Sequence, residues 1–380
     1  MSGTFRLLLT GGGTGGHVYP SLAVAASAAK AADWTVQCRY VGTADGMERA
    51  IVEQAGLPFD AVDAGAVRGR SPVVAVAGLA RILRGVSQAR RIMRDWRPAV
   101  VLATGGFVCV PVVLAARLAG VPTVVYLPDL RPGWAVRLLA RVATAVAVSF
   151  DEVRPFIPSR QVFVTGYPVR PELTRWNRAA ARHALGIPDD ASVVLVMGGS
   201  RGARTINDAV ARDLEPLLER AWLIHATGTQ NYPSVQNRRL ALPEQLRARY
   251  RLYPYLDENL APAMAAATLV ITRSGASTLG ELPAVGAPGL LVPYPFAGAH
   301  QQLNADFLAT RGVAEVVDDA AAQNGALGTA ALVLLADSAR LERMADAARR
   351  LAGPDAAAEV CRLLFLVASS GLGKSVGRLA

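Results

Sequence analysis

Short apolar runs recur along the chain and alternate with longer stretches of helical periodicity. An unbroken apolar run of about four to eight residues is typical of a strand buried on both faces of a parallel sheet. Alternation of such runs with helices indicates an α/β fold with doubly wound sheets. The predicted strands form a first series at residues 6–10, 36–41, 100–103, 123–126, 145–148 and 162–165, and a second series at 192–197, 222–226, 269–272 and 289–292.

A segment that breaks regular structure separates the two series. Residues 166–171 contain a glycine and two prolines, which is the composition of a linker. The length of 380 residues fits two domains of about 150 to 200 residues each. We therefore predict two Rossmann-like domains facing each other across a cleft, at residues 1–166 and 167–368, followed by a tail at 369–380.

Charge is distributed unevenly between the two halves. Residues 1–170 carry a net charge of +9 and residues 171–380 a net charge of +1. A basic half favours an anionic partner, since each basic group near an anionic leaflet contributes about 1 kcal/mol. On charge alone, nucleic acid competes with a membrane surface as that partner.

The apolar runs and the cysteines of the sequence bear on where in the cell the protein is expected. We expect neither a signal peptide nor a membrane span, because no apolar stretch reaches the ~20 residues that cross a bilayer. The protein is expected to be soluble or bound at a membrane surface. Cys38, Cys109 and Cys361 are widely spaced, which predicts neither a disulfide framework nor a zinc site and favours a reducing cytoplasm.

A glycine-rich loop follows the first predicted strand. Residues 11–16 hold five glycines, which let a ligand approach the backbone, and the helix that follows offers N–H groups to an anion. A dinucleotide site is the alternative, although Asp33, the acidic residue at about the required distance, precedes the second strand. His17 ends the loop and is either a helix-capping residue or a candidate general base.

Similar loops follow other predicted strands. Thr104, Gly105 and Gly106 follow the strand at 100–103 and suit a second phosphate, a tight turn at positive φ being the alternative. In the second half, residues 198–204 and 272–281 each run from a strand into a helix. The first of these carries two arginines, which suit an anion.

Polar side chains suited to sugars stand in the second half. Glu281 is expected about two turns inside the helix that follows residues 272–277, where it can accept from two ribose hydroxyls. A solvated helix glutamate is the alternative. Gln301 and Gln302 offer donors and acceptors to sugar hydroxyls, although such residues are often ordinary surface residues.

A basic segment at residues 67–97 predicts membrane docking. Its apolar positions have helical spacing on a basic background, which describes an interfacial helix. A helix packed into the core with a solvated basic edge is the alternative, and both can hold together. The residues assigned to the membrane are Leu79, Arg81, Ile82, Leu83, Arg84 and Val86.

Three motifs in combination resemble the MurG family of glycosyltransferases: residues 12–20, residues 198–203, and residues 273–276 with Glu281. The resemblance runs from about residue 6 to residue 350. It implies a GT-B fold whose N-terminal domain binds a lipid acceptor and whose C-terminal domain binds UDP-N-acetylglucosamine (UDP-GlcNAc). It also implies inverting transfer of N-acetylglucosamine to the 4-hydroxyl of undecaprenyl-pyrophosphoryl-MurNAc-pentapeptide (lipid I), giving lipid II, by an enzyme peripheral to the cytoplasmic side of the cell membrane.

The resemblance also implies roles for single residues. Thr104, Gly105 and Gly106 form the acceptor-side loop. No Asp-x-Asp pair stands near the nucleotide loops, so we expect no metal, and we expect no cofactor and no nucleic-acid partner. The residues assigned to the donor are Thr14, Gly15, Gly16, Arg170, Gly199, Ser200, Arg201, Tyr255, Leu256, Arg273, Ser274, Gly275, Glu281, Gln301 and Gln302.

One segment departs from the family pattern. Tyr126, Leu127, Pro128 and Asp129 stand where the family usually has His-Glu-Gln-Asn, which keeps open a related GT-B enzyme with another lipid acceptor. Asp129 is therefore a second candidate, after His17, for the base that takes the acceptor proton.

Two other classes of protein stay open on the residues alone. A nicotinamide-dependent oxidoreductase needs a ribose-binding acid at the end of the second strand, whereas Asp45 lies beyond the turn. A non-enzymatic nucleic-acid-binding protein would account for the basic charge of the first half. It would not account for the glycine loops of the second half.

Overall fold

The chain forms two compact units. Unit 1 comprises Met1–Arg170 together with Pro354–Ala380, and unit 2 comprises Pro171–Gly353. The structure is a computed structural model. It describes residues 3–31, 34–65, 72–159, 161–198, 203–296 and 300–369, without the side chains of Trp34, residues 72–77 and Trp134.

The strands of both units lie in parallel sheets. Those of unit 1 are β1 (Gly3–Thr10), β2 (Trp34–Gly42), β3 (Phe59–Ala61), β4 (Val100–Ala103), β5 (Thr123–Leu127), β6 (Ala145–Val148) and β7 (Val162–Val164); those of unit 2 are β8 (Val193–Met197), β9 (Trp222–Ala226), β10 (Tyr250–Tyr253), β11 (Leu269–Thr272), β12 (Gly289–Leu291) and β13 (Ala314–Val316). Within the described residues the sheet orders are β3-β2-β1-β4-β5-β6-β7 and β10-β9-β8-β11-β12-β13. Both contain the order of the doubly wound dinucleotide-binding fold. The predicted α/β class with two such sheets is confirmed.

Helices connect the strands. The α-helices of unit 1 are α1 (Gly15–Ala28), α2 (Met47–Gln54), α3 (Pro72–Trp96), α4 (Cys109–Leu118), α5 (Trp134–Leu139) and α17 (Ala356–Ser369); those of unit 2 are α6 (Arg178–Ala184), α7 (Arg204–Arg212), α8 (Leu214–Arg220), α9 (Tyr232–Ala241), α10 (Glu244–Ala248), α11 (Leu260–Ala266), α12 (Thr278–Val285), α13 (His300–Thr310), α14 (Asp319–Gln323), α15 (Ala326–Ala336) and α16 (Ser338–Leu351). Short 3-10 helices span Asp151–Phe156, Pro171–Thr174 and Asp257–Asn259. Across the described parts of the chain, every helix is too short or too polar to cross a membrane.

The core of unit 1 has a layer on each face of its sheet. Leu7 and Leu9 of β1 belong to the cluster that includes residues of α1 and α17. Leu8 belongs to the cluster on the other face, with Met93 of α3 and Val112 of α4. Because successive strand residues point to opposite faces and helices cover both, β1 contains an unbroken apolar run.

The last helix belongs to unit 1, although residues up to 368 were predicted to lie in the C-terminal domain. The ring of Phe365 in α17 lies 4.5 Å from that of Phe5 in β1, and Cys361 Sγ donates to Val24 O in α1 at 3.3 Å. The apolar side of α17 therefore packs on the first sheet. An apolar periodicity indicates a buried helix face and does not identify the sheet that covers it.

Strand register brings the glycine loops together in pairs. Thr10 of β1 is level with Ala103 of β4, so residues 11–14 (loop A) and residues 104–106 (loop B) leave the sheet side by side. In unit 2, Thr272 of β11 is level with Met197 of β8; residues 198–203 (loop C) follow β8 in sequence and residues 273–277 (loop D) follow β11. The strands β1 and β4, and likewise β8 and β11, are neighbours where the strand order reverses, which is the ligand-binding point of doubly wound sheets.

Candidate active site

Loop A places His17 at the start of α1. Thr14 is the N-cap residue, and Gly15 and Gly16 open the helix. The Nδ1 atom of His17 lies 3.0 Å from Gly12 O and 3.3 Å from Thr14 Oγ1. Because a carbonyl oxygen can only accept, Nδ1 carries the proton and donates. Nε2 then holds the lone pair, which is the state that a general base requires.

Loops A and B are joined by hydrogen bonds. Gly12 N donates to Gly105 O at 3.1 Å, and Thr104 N donates to Thr10 O at 2.9 Å. The hydroxyl of Thr104 donates to His17 O at 2.5 Å, and its side chain is fully buried. Thr104, predicted to face the acceptor, therefore supports both loops from within.

Loop B is a tight turn that only glycine fits. Gly105 and Gly106 have φ of +122° and +88°. A Cβ on Gly105 would lie 2.7 Å from Cδ2 of His17, and a Cβ on Gly106 would lie 2.4 Å from Gly12 O. The sulfur of Cys109 donates to Gly105 O at 3.0 Å, and burial raises the pKa of this thiol to about 12. The thiol thus stays protonated and supports the turn.

Glu48 is a buried carboxylate behind loop A that the sequence patterns did not indicate. It lies in the first turn of α2 and is 1% exposed. Its Oε1 accepts from Thr43 N at 3.0 Å and from Thr43 Oγ1 at 2.6 Å, and its Oε2 accepts from Gly13 N at 3.4 Å. A Cβ on Gly12 would lie 2.8 Å from Oε1, so Glu48 requires glycine in the loop that it holds.

The segment that departs from the family pattern is mostly buried. Tyr126, Leu127 and Pro128 are buried, so of residues 126–129, which the structure describes in full, Asp129 alone is half-buried. Asp129 follows β5, the neighbour of β4, and therefore lies at the same edge of the sheet as loop B. Of the four residues, Asp129 is the one whose side chain is partly accessible at that edge.

Tyr126 of β5 contacts the residues that follow β6 and β7. Its hydroxyl lies 2.7 Å from Ser149 Oγ and 3.3 Å from Gly166 O, and its ring meets that of Tyr167 edge-on at 6.4 Å between centroids. Burial raises the pKa of Tyr126, which keeps its hydroxyl a donor. Tyr126 is thus in contact with the segment that follows β7.

Arg170 lies beside loop A. Its guanidinium carbon stands 4.2 Å from the ring centroid of Tyr19 in α1. The structure therefore gathers Thr14, Gly15, Gly16 and Arg170, all assigned to the donor, around the first turns of α1.

Part of the predicted donor site lies outside the described residues: Gly199, Ser200 and Arg201 in loop C. The structure describes the residues on either side, with β8 ending at Met197 and α7 beginning at Arg204. Loop C thus joins a strand to a helix N-terminus, as the sequence predicts.

Loop D is held by a buried ion pair. Arg273 Nη1 donates to Asp319 Oδ1 at 2.5 Å, with side-chain exposures of 11% and 13%. The same nitrogen lies 3.1 Å from Val292 O, and the guanidinium stacks on Tyr294 at 5.3 Å. Arg273, predicted to contact the donor, therefore has protein partners. Asp319 stands 46 residues later, beyond any local motif, and was not predicted.

Ser274 also supports loop D. It is fully buried, and its hydroxyl donates to Gln301 O at 2.7 Å. Asn304, also fully buried, donates from Nδ2 to Ser274 O at 3.1 Å. Gly275 follows with no atom within 4 Å of the position that a Cβ would take, so backbone at Gly275 is open to a ligand.

Glu281 lies in the helix that follows loop D, and Tyr255 and Leu256 follow β10. Glu281 lies in the first turn of α12 and is 5% exposed, one turn earlier than predicted because the helix begins at Thr278. A carboxylate there is favoured by the helix N-terminus. Tyr255 is 41% exposed, whereas Leu256 is 4% exposed and therefore buried.

The two glutamines open α13. Gln301 Oε1 accepts from Tyr294 N at 2.9 Å, which leaves its amide N–H groups as donors toward a ligand. Gln302 Nε2 donates to Asp306 Oδ1 at 2.8 Å, which leaves its amide oxygen as an acceptor. Phe296, 83% exposed, packs edge-on against Tyr294 with centroids 5.6 Å apart, so an aromatic pair borders the amides.

A buried polar chain underlies α7. His225 is fully buried, with Nδ1 2.8 Å from Tyr250 Oη and Nε2 3.0 Å from Asn207 Oδ1. Asn207 Nδ2 donates to Thr227 O at 2.9 Å, so Nε2 of His225 donates and Nδ1 accepts. Burial lowers the pKa of His225 to about 3.

Helix α3 is partly packed and partly exposed. Ile82 and Val86 are half-buried, Arg81 and Arg84 are exposed, and Leu79 and Leu83 are 52% and 64% exposed. Val86 packs on the core. One stripe of α3 thus faces the core while two leucines and a basic edge face outward.

Side chains that could bind a metal ion stand apart from one another in the described parts of the chain. Among these residues, no group of three or more His, Cys, Asp and Glu side chains is placed to hold a metal ion.

Comparison with known proteins matches both units. Residues 7–148 match the glycosyltransferase family 28 N-terminal domain and residues 193–360 its C-terminal domain. The UDP-N-acetylglucosamine–N-acetylmuramyl-(pentapeptide) pyrophosphoryl-undecaprenol N-acetylglucosamine transferase of Roseiflexus sp. (strain RS-1) is 43% identical, covering 94% of each chain. The same enzyme of Listeria monocytogenes is 34% identical over 95% of this chain and 99% of its own.

A solved structure of the same family is similar to this chain over nearly its whole length. The crystal structure of Acinetobacter baumannii MurG superposes with a TM-score of 0.74 at 29% identity, covering 95% of this chain and 99% of that one. Since both domain models match and relatives align over nearly their whole length, the chain belongs to glycosyltransferase family 28 and, within it, to the MurG family that its motifs resemble.

Proposed function

We propose that this chain transfers N-acetylglucosamine from UDP-GlcNAc to the 4-hydroxyl of lipid I and so forms lipid II, a step of peptidoglycan synthesis on which cell shape and division depend. The names of its relatives give UDP-N-acetylglucosamine and N-acetylmuramyl-(pentapeptide) pyrophosphoryl-undecaprenol as the substrates of an N-acetylglucosamine transferase. The observation that carries the proposal in this chain is the His17 tautomer, because a proton on Nδ1 leaves Nε2 able to take a proton from an acceptor hydroxyl.

The reaction needs a base for the acceptor and donors for the departing diphosphate. Nε2 of His17 takes the 4-hydroxyl proton as the oxygen bonds to C1 of N-acetylglucosamine and the bond from C1 to the UDP oxygen breaks. A single displacement inverts C1. Loop C at the N-terminus of α7 supplies N–H groups to the diphosphate, and Glu281 accepts from the ribose.

Asp129 is the alternative base. It is the half-buried member of residues 126–129 and lies at the edge of the sheet that carries loop B. The buried Tyr126 and Leu127 take no part in such an acceptor contact, which keeps another lipid acceptor as the second candidate function.

The test is product formation. The protein is incubated with UDP-GlcNAc and synthetic lipid I, and lipid II is sought by mass spectrometry. In a parallel reaction a polyprenyl-pyrophosphoryl acceptor with another sugar replaces lipid I. Product from lipid I alone supports the proposal, whereas product from the other acceptor alone refutes it in favour of the second candidate.

We further propose that unit 1 docks peripherally on the cytoplasmic face of the cell membrane through α3. Leu79 and Leu83 are exposed apolar residues of the helix. A groove of about 810 Å³ is lined by Leu83 together with Arg90, Arg91 and Arg94. Apolar insertion beside a basic groove suits anionic lipid.

Vesicle binding tests the docking face. Glutamine at Arg81, Arg84, Arg90 and Arg91 together should release the protein from anionic vesicles, while activity on a short-chain acceptor survives. A matched control removes the same charge from unit 2, at the exposed Arg220, Arg238, Arg343 and Arg350. Equal loss of sedimentation in both variants would contradict a docking face on α3.

A further inference from the structure

The ion pair of loop D includes the carboxylate of Asp319, which accepts hydrogen bonds from three segments of unit 2. Asp319 opens α14, and its Oδ1 accepts from Arg273 Nη1 in loop D. Its Oδ2 accepts from Thr205 Oγ1 at 3.3 Å and from Gln323 Nε2 at 3.2 Å. Thr205 is the second residue of α7, the helix that follows loop C. One side chain thus ties loop D to the helix behind loop C.

Arg273 extends the connection to β12. Its Nη1 also lies 3.1 Å from Val292 O and 3.4 Å from Pro293 O, at the end of that strand. The carboxylate and the guanidinium are almost buried, with exposures of 13% and 11%. Asp319, Arg273 and Thr205 are called the Asp319 clamp below.

We propose that Asp319 is a positioning residue for the donor, acting through the clamp to fix the spacing between loop D and the first turn of α7. A buried ion pair adds little net stability, since the cost of desolvation offsets the attraction. What it does impose is geometry, because its partners meet in one arrangement only. The proposal rests on the proposed function, in which the diphosphate binds at the N-terminus of α7 and the nucleoside at loop D and Glu281.

Loss of the clamp should affect the affinities for UDP and uridine differently, whereas general destabilisation of unit 2 should lower both. In the proposed function UDP contacts both loop D and the N-terminus of α7, so its affinity depends on their spacing. Uridine lacks the diphosphate and contacts the loop D side alone, so its affinity is independent of that spacing. A substitution in the clamp should therefore weaken UDP binding and spare uridine binding.

The main variant is Asp319→Asn, which keeps the shape and removes the charge. We expect UDP affinity, measured by calorimetry, to fall on the order of tenfold or more, as for loss of a buried charged hydrogen-bond partner. Uridine affinity, measured by competition, should stay within about twofold of wild type. The KM for UDP-GlcNAc should rise while the KM for the lipid acceptor stays unchanged.

Two further variants make the test decisive. Asp318→Asn removes the same charge from the preceding residue, whose side chain makes no cap hydrogen bond, and should leave UDP affinity unchanged. Thr205→Val removes only the Oγ1–Oδ2 bond and serves if Asp319→Asn does not fold. It should weaken UDP binding a few-fold without affecting uridine.

The outcomes separate clearly. UDP affinity that is unchanged in both clamp variants, or that falls together with uridine affinity, overturns the positioning role while leaving the proposed function intact. Wild-type protein that binds no UDP refutes the proposed function and the clamp's role with it. Selective loss of UDP binding in the clamp variants alone supports the inference.

Discussion

Substitution of Gly105 by alanine tests whether loop B fixes the position of His17. Gly105 has φ of +122°, and a Cβ there would lie 2.7 Å from Cδ2 and 2.8 Å from Nε2 of His17. Real Cβ contacts are not this short, so the imidazole must move away. It then loses the bond from Nδ1 to Gly12 O, which sets the tautomer.

Two costs add in this variant. An L-residue at positive φ costs about 1 to 2 kcal/mol relative to glycine, and the lost hydrogen bond costs about 1 kcal/mol. The free energy of unfolding of unit 1 should therefore fall by about 2 to 3 kcal/mol, which lowers Tm by about 4 to 12 °C for a unit of this size. Because the displaced imidazole no longer acts as base, turnover should fall by about 10²- to 10⁴-fold.

Gly120→Ala is the matched control. Gly120 also has positive φ, at +70°, but no atom lies within 4 Å of its Cβ position. It should lose about 1 to 2 kcal/mol of stability and keep its turnover. Calorimetry measures the stability of both variants, and steady-state kinetics measures their turnover. If turnover of Gly105→Ala matches that of Gly120→Ala after correction for unfolded protein, the contact between loop B and His17 has no catalytic role.

Three further predictions concern single residues. His17→Ala should lower turnover about 10²- to 10⁴-fold with little change in donor affinity, and a silent His17→Ala beside an inactive Asp129→Asn would assign the base to Asp129. Glu281→Ala should weaken UDP binding by about 1.5 to 3 kcal/mol in calorimetric titration, and unchanged affinity would exclude it from the ribose site. The free energy of unfolding should fall as pH drops from about 6.5 toward 3, because unfolded chains protonate His225 near its ordinary pKa while the folded pKa is about 3. In His225→Gln the free energy of unfolding should fall less over this pH range. Denaturant titrations at several pH values measure it, and the same pH dependence in the variant and the wild type would contradict the assignment.

Among the described residues, the sequence predicted every interior strand and the edge strand β7, and it missed the other three edge strands. All ten predicted strands are present, and the three that were missed, β3, β10 and β13, are edge strands of three or four residues. An edge strand is covered incompletely, so its side chains need not be apolar. Residues 59–61 are half-buried or exposed, and no apolar run marks them.

The loops of the candidate site were predicted because glycines directly after a buried strand indicate either a tight turn or a close approach of a ligand to the backbone. The side chains that hold the loops could not be predicted in the same way. Glu48 meets Gly13 across 35 residues, and Asp319 meets Arg273 across 46. A carboxylate on a helix is expected to be solvated unless the fold is known, since its partner is chosen by packing rather than by spacing in the chain.

The return of α17 to unit 1 determines how the chain can be divided. Unit 2 is one continuous segment, Pro171–Gly353, whereas unit 1 joins Met1–Arg170 to residues that follow it in sequence by more than 180 positions. A fragment that stops at Arg170 leaves uncovered the side of β1 and α1 on which Phe365 and Cys361 pack. Such a fragment should aggregate unless a peptide of residues 354–369 is supplied in trans, and ribosomal synthesis of the whole chain must finish before the first sheet is fully covered.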